Sequence, residues 1–143
     1  MKVKVKKLNP DAVIPKYATA GAACFDLQTI NPSENVHMTD SQLFHTGLSF
    51  EIPEGYVMMV YSRSGHGYKN GVRLSNCVGV IDSDYRGEVM VKLHNDGNTH
   101  MPISKGDRVA QAMIIPVHTF ELEEAEELSE TERGTGGFGS TGK

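Results

Sequence analysis

No apolar run in this sequence approaches the roughly 20 residues a helix needs to cross a bilayer. The lysines of the opening MKVKVKKL are followed by no apolar block, so a secretory signal is not expected either. Cysteine is scarce, and the two present, Cys24 and Cys77, fit neither a metal-binding spacing nor a disulfide framework. They are expected to be free thiols in core or strand positions. Positive charge is also in deficit: 14 Lys+Arg against 18 Asp+Glu leave a net charge of -4, which argues against non-specific nucleic-acid binding. An acidic chain that takes an anionic ligand must supply local basic residues, a cation, or both. These absences predict a soluble, cytoplasmic protein with no membrane and no nucleic-acid partner.

What is present is a chain of 143 residues, enough for one domain with a real core. About ten short strand-like runs are separated by turn signals every 8 to 12 residues or so, and no long helical period occurs, a pattern of an all-β sandwich or jelly roll. The chain is organised around residues 75–95, SNCVGVIDSDYRGEVMVKLHN. Val78, Val80 and Ile81 form one apolar run. Asp82-Ser83-Asp84 is rich in turn formers, and Val89, Val91 and Leu93 then alternate with Met90, Lys92 and His94. This predicts a β-hairpin with acids at its tip. A second hairpin-like pair is expected from Ser49–Ile52 and Tyr56–Tyr61 around Pro53-Glu54-Gly55.

Other segments carry candidate chemistry. Small residues lead into a single acid, Asp26, in TAGAACFDL; it could sit beside a cation or be a turn acid. Ser62-Arg63-Ser64-Gly65-His66-Gly67 leaves a strand with a guanidinium and backbone N–H groups able to converge on an anion. His66 has no acid or nucleophile beside it and reads as a packed or surface histidine. A helical turn here would be short, with three glycines within 65–71. Arg108 to Ile115 reads as a buried strand, in which Gln111 is an amide that needs partners. Residues 121–132 are glutamate-rich and read as a solvated arm. The stretch from Arg133 to Lys143 holds five glycines and one aromatic, Phe138. It cannot keep a fixed shape unaided, but it has the Ser, Thr, Arg and free N–H groups that phosphates require. GFGSTGK fits the first seven positions of a P-loop, but neither the final Ser/Thr nor a helix follows it, and it is not read as one.

Five segments in this order, AGAACFDL, SRSGHG, NCVGVIDSDYRG, KGDRVAQ and RGTGGFGSTG, resemble the trimeric dUTPase family. That resemblance implies a jelly-roll subunit in a homotrimer, with a body over 1–120 and a C-terminal arm over 121–143 exchanged onto a neighbour's site. It implies hydrolysis of dUTP to dUMP and pyrophosphate with Mg2+, which keeps uracil out of DNA and supplies dUMP for thymidylate synthesis. Residue by residue, Asp82 resembles the family's water-activating base. Tyr85 resembles the tyrosine under the deoxyribose. Asn76, with the backbone of Cys77 and Gly79, looks like the uracil reader, and Met90 packs beside it. Arg63, Ser64, Gly65 and Gln111 look like phosphate binders, and Asp26 like an acid near Mg2+, acting through water. Arg133, Ser140 and Thr141 would hold the γ-phosphate, with Phe138 and Gly139 closing over uracil.

Tyr61 and His66 depart from the family pattern, which usually has a small residue or proline at the first and an apolar one at the second. Shifted packing around the phosphate turn is expected rather than lost activity. Three other readings compete. A dCTP deaminase would need a glutamate where Lys92 stands. A non-catalytic, dUTP-gated signalling module would keep the pocket without the chemistry. A structural jelly roll would not need the arm.

Overall fold

The structure is a computed structural model that describes residues 2–140. Its eleven strands, numbered β1 to β11 along the chain, and one short helix bear out the all-β expectation. The largest sheet has four antiparallel strands in the order β2 (Phe25–Gln28), β11 (Arg108–Pro116), β6 (Tyr56–Tyr61), β8 (Val78–Ile81). A second has three, β4 (Ser41–His45), β9 (Met90–Asn95) and β7 (Val72–Leu74). Two further pairs join β1 (Lys4–Lys7) to β5 (Leu48–Glu51) and β3 (Glu34–Val36) to β10 (Met101–Ile103).

Alternation builds the core. Phe25, Leu27, Met58, Val60, Ala110 and Ala112 from the larger sheet, and Phe44, Val72, Leu74, Val91 and Leu93 from the smaller one, are buried in a single cluster. Each large side chain so buried contributes about 1.5–3 kcal/mol before entropy is charged against it. This common core is what makes the two sheets one sandwich.

Neither expected hairpin forms. β8 pairs with β6, and β9 pairs with β4 and β7, so the two runs of the central segment lie in different sheets. Residues 82–89 separate them, a connection longer than the 2–5 residues or so typical of hairpin loops. The Asp82 turn does exist, with the Tyr85 N–H donating to Asp82 O at 3.2 Å. β5 and β6 likewise belong to different sheets. The turn between them closes through the Tyr56 N–H onto Pro53 O at 3.1 Å, with Gly55 at φ +78°, and it acts as a corner of the sandwich.

The short helix α1 (Ser64–Asn70) stops at Gly71, whose φ of +68° is left-handed. A Cβ there would meet the Gly97 backbone at 2.9 Å, so only glycine suits this stop. Cys24 is half-buried, but Cys77 is exposed, contrary to the expected core or strand position. It occupies the turn before β8, at φ +63°. Beyond the Val117 N–H, which donates to Gly55 O at 2.9 Å, the chain has no strand or helix among the described residues, and all of these but the half-buried Gly136 are exposed.

Candidate active site

The divergence of β8 from β9 opens a cleft. Its deeper part, about 360 Å³, is lined by Leu74, Ser75, Asn76, Gly79, Met90 and Lys92, among others. Its outer part, about 290 Å³, shares Val80, Ile81 and Met90 and adds Asp82, Tyr85 and Glu88. Asn76, Gly79, Asp82, Tyr85 and Met90, singled out from the sequence, are therefore gathered along one groove. Gly79 sits where a Cβ would press on Val60 at 3.1 Å, which lets β8 lie close to β6. Lys92, the position that separates the deaminase reading, faces this groove with an amine and not a carboxylate.

Two carboxylates stand at the outer end, and they differ. Glu88 is fully engaged: Oε1 accepts the Gly47 N–H at 2.7 Å and Oε2 lies 3.0 Å from His45 Nδ1. It ties the loop to β4, and each of its oxygens already holds a protein partner. The Asp82 side chain is exposed and has no hydrogen-bond partner among the described residues, so it is free to hold water. Tyr85 is fixed by its hydroxyl, which donates to Glu88 O at 3.0 Å. Its ring lies over Gly87, where any Cβ would collide with it. Glu88 escaped sequence reasoning because a glutamate at the start of an alternating run carries no local signal.

A second group lies on the other face of the large sheet. Asp26, Gln111 and Tyr61 are cross-strand partners in one row. Side chains on a strand alternate between faces. This row therefore points away from the face of Val60, which lines the cleft. Arg63 Nε donates to Asp26 Oδ1 at 2.8 Å, and Arg108 Nη1 to Oδ2 at 3.2 Å. The Gln111 amide donates to Ser62 O at 3.0 Å. Ser64 and Gly65 open α1, where the first turn leaves backbone N–H groups outside the helical ladder. Arg108 was not anticipated; it is placed here by the β2–β11 register.

Burial pushes the His66 imidazole below its ordinary value, and Arg63 pushes it further. Its Nδ1 is buried without a partner among the described residues. Burial, and then the Asp26 charge, push the Cys24 thiol up, which keeps it an unreactive neutral group.

The tail joins neither group. Every hydrogen bond of residues 131–140 is internal to the tail, and Phe138 is fully exposed. Arg133, Gly139 and Ser140 are thus not brought to the cleft within one chain, and Thr141 lies outside the described residues. A cavity of about 510 Å³ lined by Arg133, Gly136 and Ser140 is the tail's own fold on itself.

Comparison with known proteins places the chain in a family. A family model described as dUTPase matches residues 10–142. A deoxyuridine 5'-triphosphate nucleotidohydrolase of Nautilia profundicola is 51% identical over the whole of both chains. The dUTPase of Staphylococcus bacteriophage 80alpha with dUPNHPP superposes with a TM-score of 0.91 at 28% identity, covering 99% of each chain. A variant dUTPase of phage phi11 of S. aureus, solved for the coordination of a structural Mg(II) ion, shares the fold with a TM-score of 0.80 at 24% identity, over 89% of this chain and 98% of that one. A full-length match to these relatives, around a groove that gathers the segment expected to read a nucleoside, establishes that the chain belongs to the dUTPase family.

Proposed function

We propose that the protein hydrolyses dUTP to dUMP and pyrophosphate at sites assembled between the subunits of a homotrimer. One observation carries this reading: the cleft and the Arg63–Gln111 row occupy opposite faces of one sheet, so a single subunit cannot close both on one nucleotide. The outer face around the row supports a neighbour, since Val78, Val80, Met59, Met113 and Ile115 are only partly covered there. The arm points the same way, with Leu122, Leu128 and Phe138 all exposed in the isolated chain. A body over 1–120 and an exchanged arm over 121–143 account for that exposure.

The cleft takes the deoxyuridine. Asn76 and the backbone of Cys77 and Gly79 read the uracil edge, and Met90 packs beside it. The Tyr85 ring closes the space under the sugar and leaves none for a 2′-hydroxyl. Asp82, its oxygens unclaimed, accepts a proton from water as that water attacks the α-phosphorus in line, and pyrophosphate departs. A second subunit contributes Arg63, Ser64, Gly65 and Gln111 to the phosphate oxygens, where fixed donors stabilise developing charge. Asp26 holds the Arg63 fork in place through Nε. Arg133, Ser140 and Thr141 reach the γ-phosphate when the arm closes, Phe138 covers uracil, and Gly139 (φ +91°) gives the backbone its bend.

Among the described residues no three His, Cys, Asp or Glu side chains gather to hold a metal. Mg2+ would instead enter on the triphosphate, whose oxygens and waters are its usual ligands. Asp26 fits beside it: each oxygen accepts one arginine and keeps a lone pair for a metal-bound water. Bound there, Mg2+ neutralises charge on the triphosphate.

The test is pyrophosphate release from dUTP, dCTP, dTTP and UTP with Mg2+, with ammonia measured alongside and mass in solution by sedimentation. Release from dUTP alone by a trimer is expected. Ammonia from dCTP, tight dUTP binding without release, or an active monomer would each refute a stated part of the reading.

A further inference from the structure

Behind the base-reading turn lies a polar cluster that the reaction above does not use. The turn closes through the Cys77 N–H, which donates to Leu74 O at 3.1 Å. It places Cys77, a residue with a Cβ, at φ +63°, a conformation such residues rarely adopt without support from their surroundings. Neighbouring side chains supply that support. Leu74 O also accepts from Arg73 Nη1 at 3.1 Å. Arg73 is gripped in turn by Asp96, with Nε 2.6 Å from Oδ2 and Nη2 3.3 Å from Oδ1. His94 Nε2 lies 3.2 Å from Asp96 Oδ1, and His94 Nδ1 lies 2.9 Å from Ser41 Oγ. The row follows from register, because Ser41 and Arg73 both pair with His94 across β4, β9 and β7. At its far end Ser41 Oγ is 3.4 Å from Ser75 Oγ, and Ser75 lines the cleft.

We infer that Arg73, clamped by Asp96 and backed by His94 and Ser41, is a positioning residue that sets uracil discrimination by holding the Leu74–Cys77 turn in its strained form. The inference rests on the dUTPase reading of the cleft. Arg73 and Asp96 are both near half exposed, at 41% and 48% of their side chains. Such ion pairs contribute little to global stability, so geometry is what this one supplies. A planar fork on a carboxylate fixes direction as a lysine ammonium cannot. Its third contact falls on the carbonyl that also closes the turn. Relaxing the turn moves the backbone of Asn76 and Cys77, but not that of Gly79, which is registered on Val60, relative to the uracil edge. It does not move Asp82, which lies beyond the β6-paired strand β8.

The experiment compares wild type with Arg73→Gln, Arg73→Lys and Asp96→Asn, in steady-state kinetics on dUTP and dCTP, with thermal melts of each. Loss of one buttressing hydrogen bond should raise KM for dUTP roughly 3- to 10-fold with kcat within about 2-fold, and should shrink the dUTP over dCTP ratio of kcat/KM by a similar factor. Arg73→Lys should not rescue, and Asp96→Asn should follow in the same direction with a smaller effect. Unchanged KM and selectivity in both Arg73→Gln and Asp96→Asn would overturn the inference. So would a uniform loss on both nucleotides that tracks a lowered Tm. Should Arg73→Gln fail to fold, the surface variant Asp96→Asn decides by the same criteria. A wild type inactive on dUTP would remove the dUTPase reading and this inference with it, whereas an active wild type with unaltered variants removes the inference alone.

Discussion

The cleft around Asp82 and the tail around Phe138 are both turn-rich and polar, and they are held by different forces. The cleft's walls are strands registered on β6 and on β4 and β7, and its loop is pinned by Glu88 onto Gly47 and His45. In the tail, the Gly134, Gly136 and Ser140 N–H groups each donate to a carbonyl three residues back, and no apolar side chain is buried. Three-residue turns of this kind set a local shape but do not fix that shape against the rest of the molecule. A site on the cleft is therefore preorganised, whereas a site on the tail must be assembled on a surface the tail does not itself supply.

The strongest way to break this comparison is Asp82→Asn. It should keep dUTP binding and lower kcat by about 10² to 10⁴, the range for removing a general base. Pyrophosphate release and calorimetric binding measure the two halves, and an active variant would move the base elsewhere. Removing residues 133–143 should cost roughly 10² in activity, as loss of a closing lid does, with an unchanged Tm because the tail buries no core. A lowered Tm would mean the tail supports the body. Mixing these two inactive chains sharpens the point. Mixed trimers should regain a measurable fraction of activity if cleft and arm meet across subunits, and none if each site belongs to one chain.

Smaller effects probe the cleft's rigidity. Gly87→Ala should push the Tyr85 ring from its seat and narrow the dUTP over UTP preference by about tenfold, equivalent to roughly 1.4 kcal/mol. Competition kinetics would read it, and unchanged sugar selection would place that role outside Tyr85. The smallest effect concerns His66. Its folded-state value lies below the ordinary 6.5, chiefly from burial and then from Arg63; Asp107 opposes the shift, Arg108 adds to it, and Asp26 opposes it. The unfolded chain then binds more protons, so stability present above 6.5 is lost as pH falls toward the depressed folded value. His66→Leu should remove that slope and add about 1 kcal/mol by eliminating the unpartnered Nδ1. Urea melts at about pH 7.5 and about pH 5.5 test both parts, and a retained slope would assign it to another group.

Much of this was legible along the chain. Alternating Val89, Val91 and Leu93 announced β9, and Pro53-Glu54-Gly55 announced a turn. The shortness of the helix was readable from its glycines. The strand partners were not. Val78 to Ile81 and Met90 to Asn95 looked like two halves of a hairpin because they are neighbours in sequence, yet each pairs with distant strands. The eight-residue connection over 82–89 was the available warning. Glu88, Arg108 and the Arg73–Asp96 clamp carried no signal at all, since each acquires its partner from a residue far along the chain.

Turn chemistry and the two-residue period of strands are local properties, so the sequence by itself determined that the chain is all-β, where its strands and turns lie, and which residues are available for nucleotide chemistry. Which strand lies beside which depends on how apolar faces from distant segments bury one another in a single core. Only the tertiary structure could therefore decide that β8 and β9 part to form a groove. The same packing turned the Asp26–Gln111–Tyr61 row to the opposite face and left the tail without a partner in its own chain.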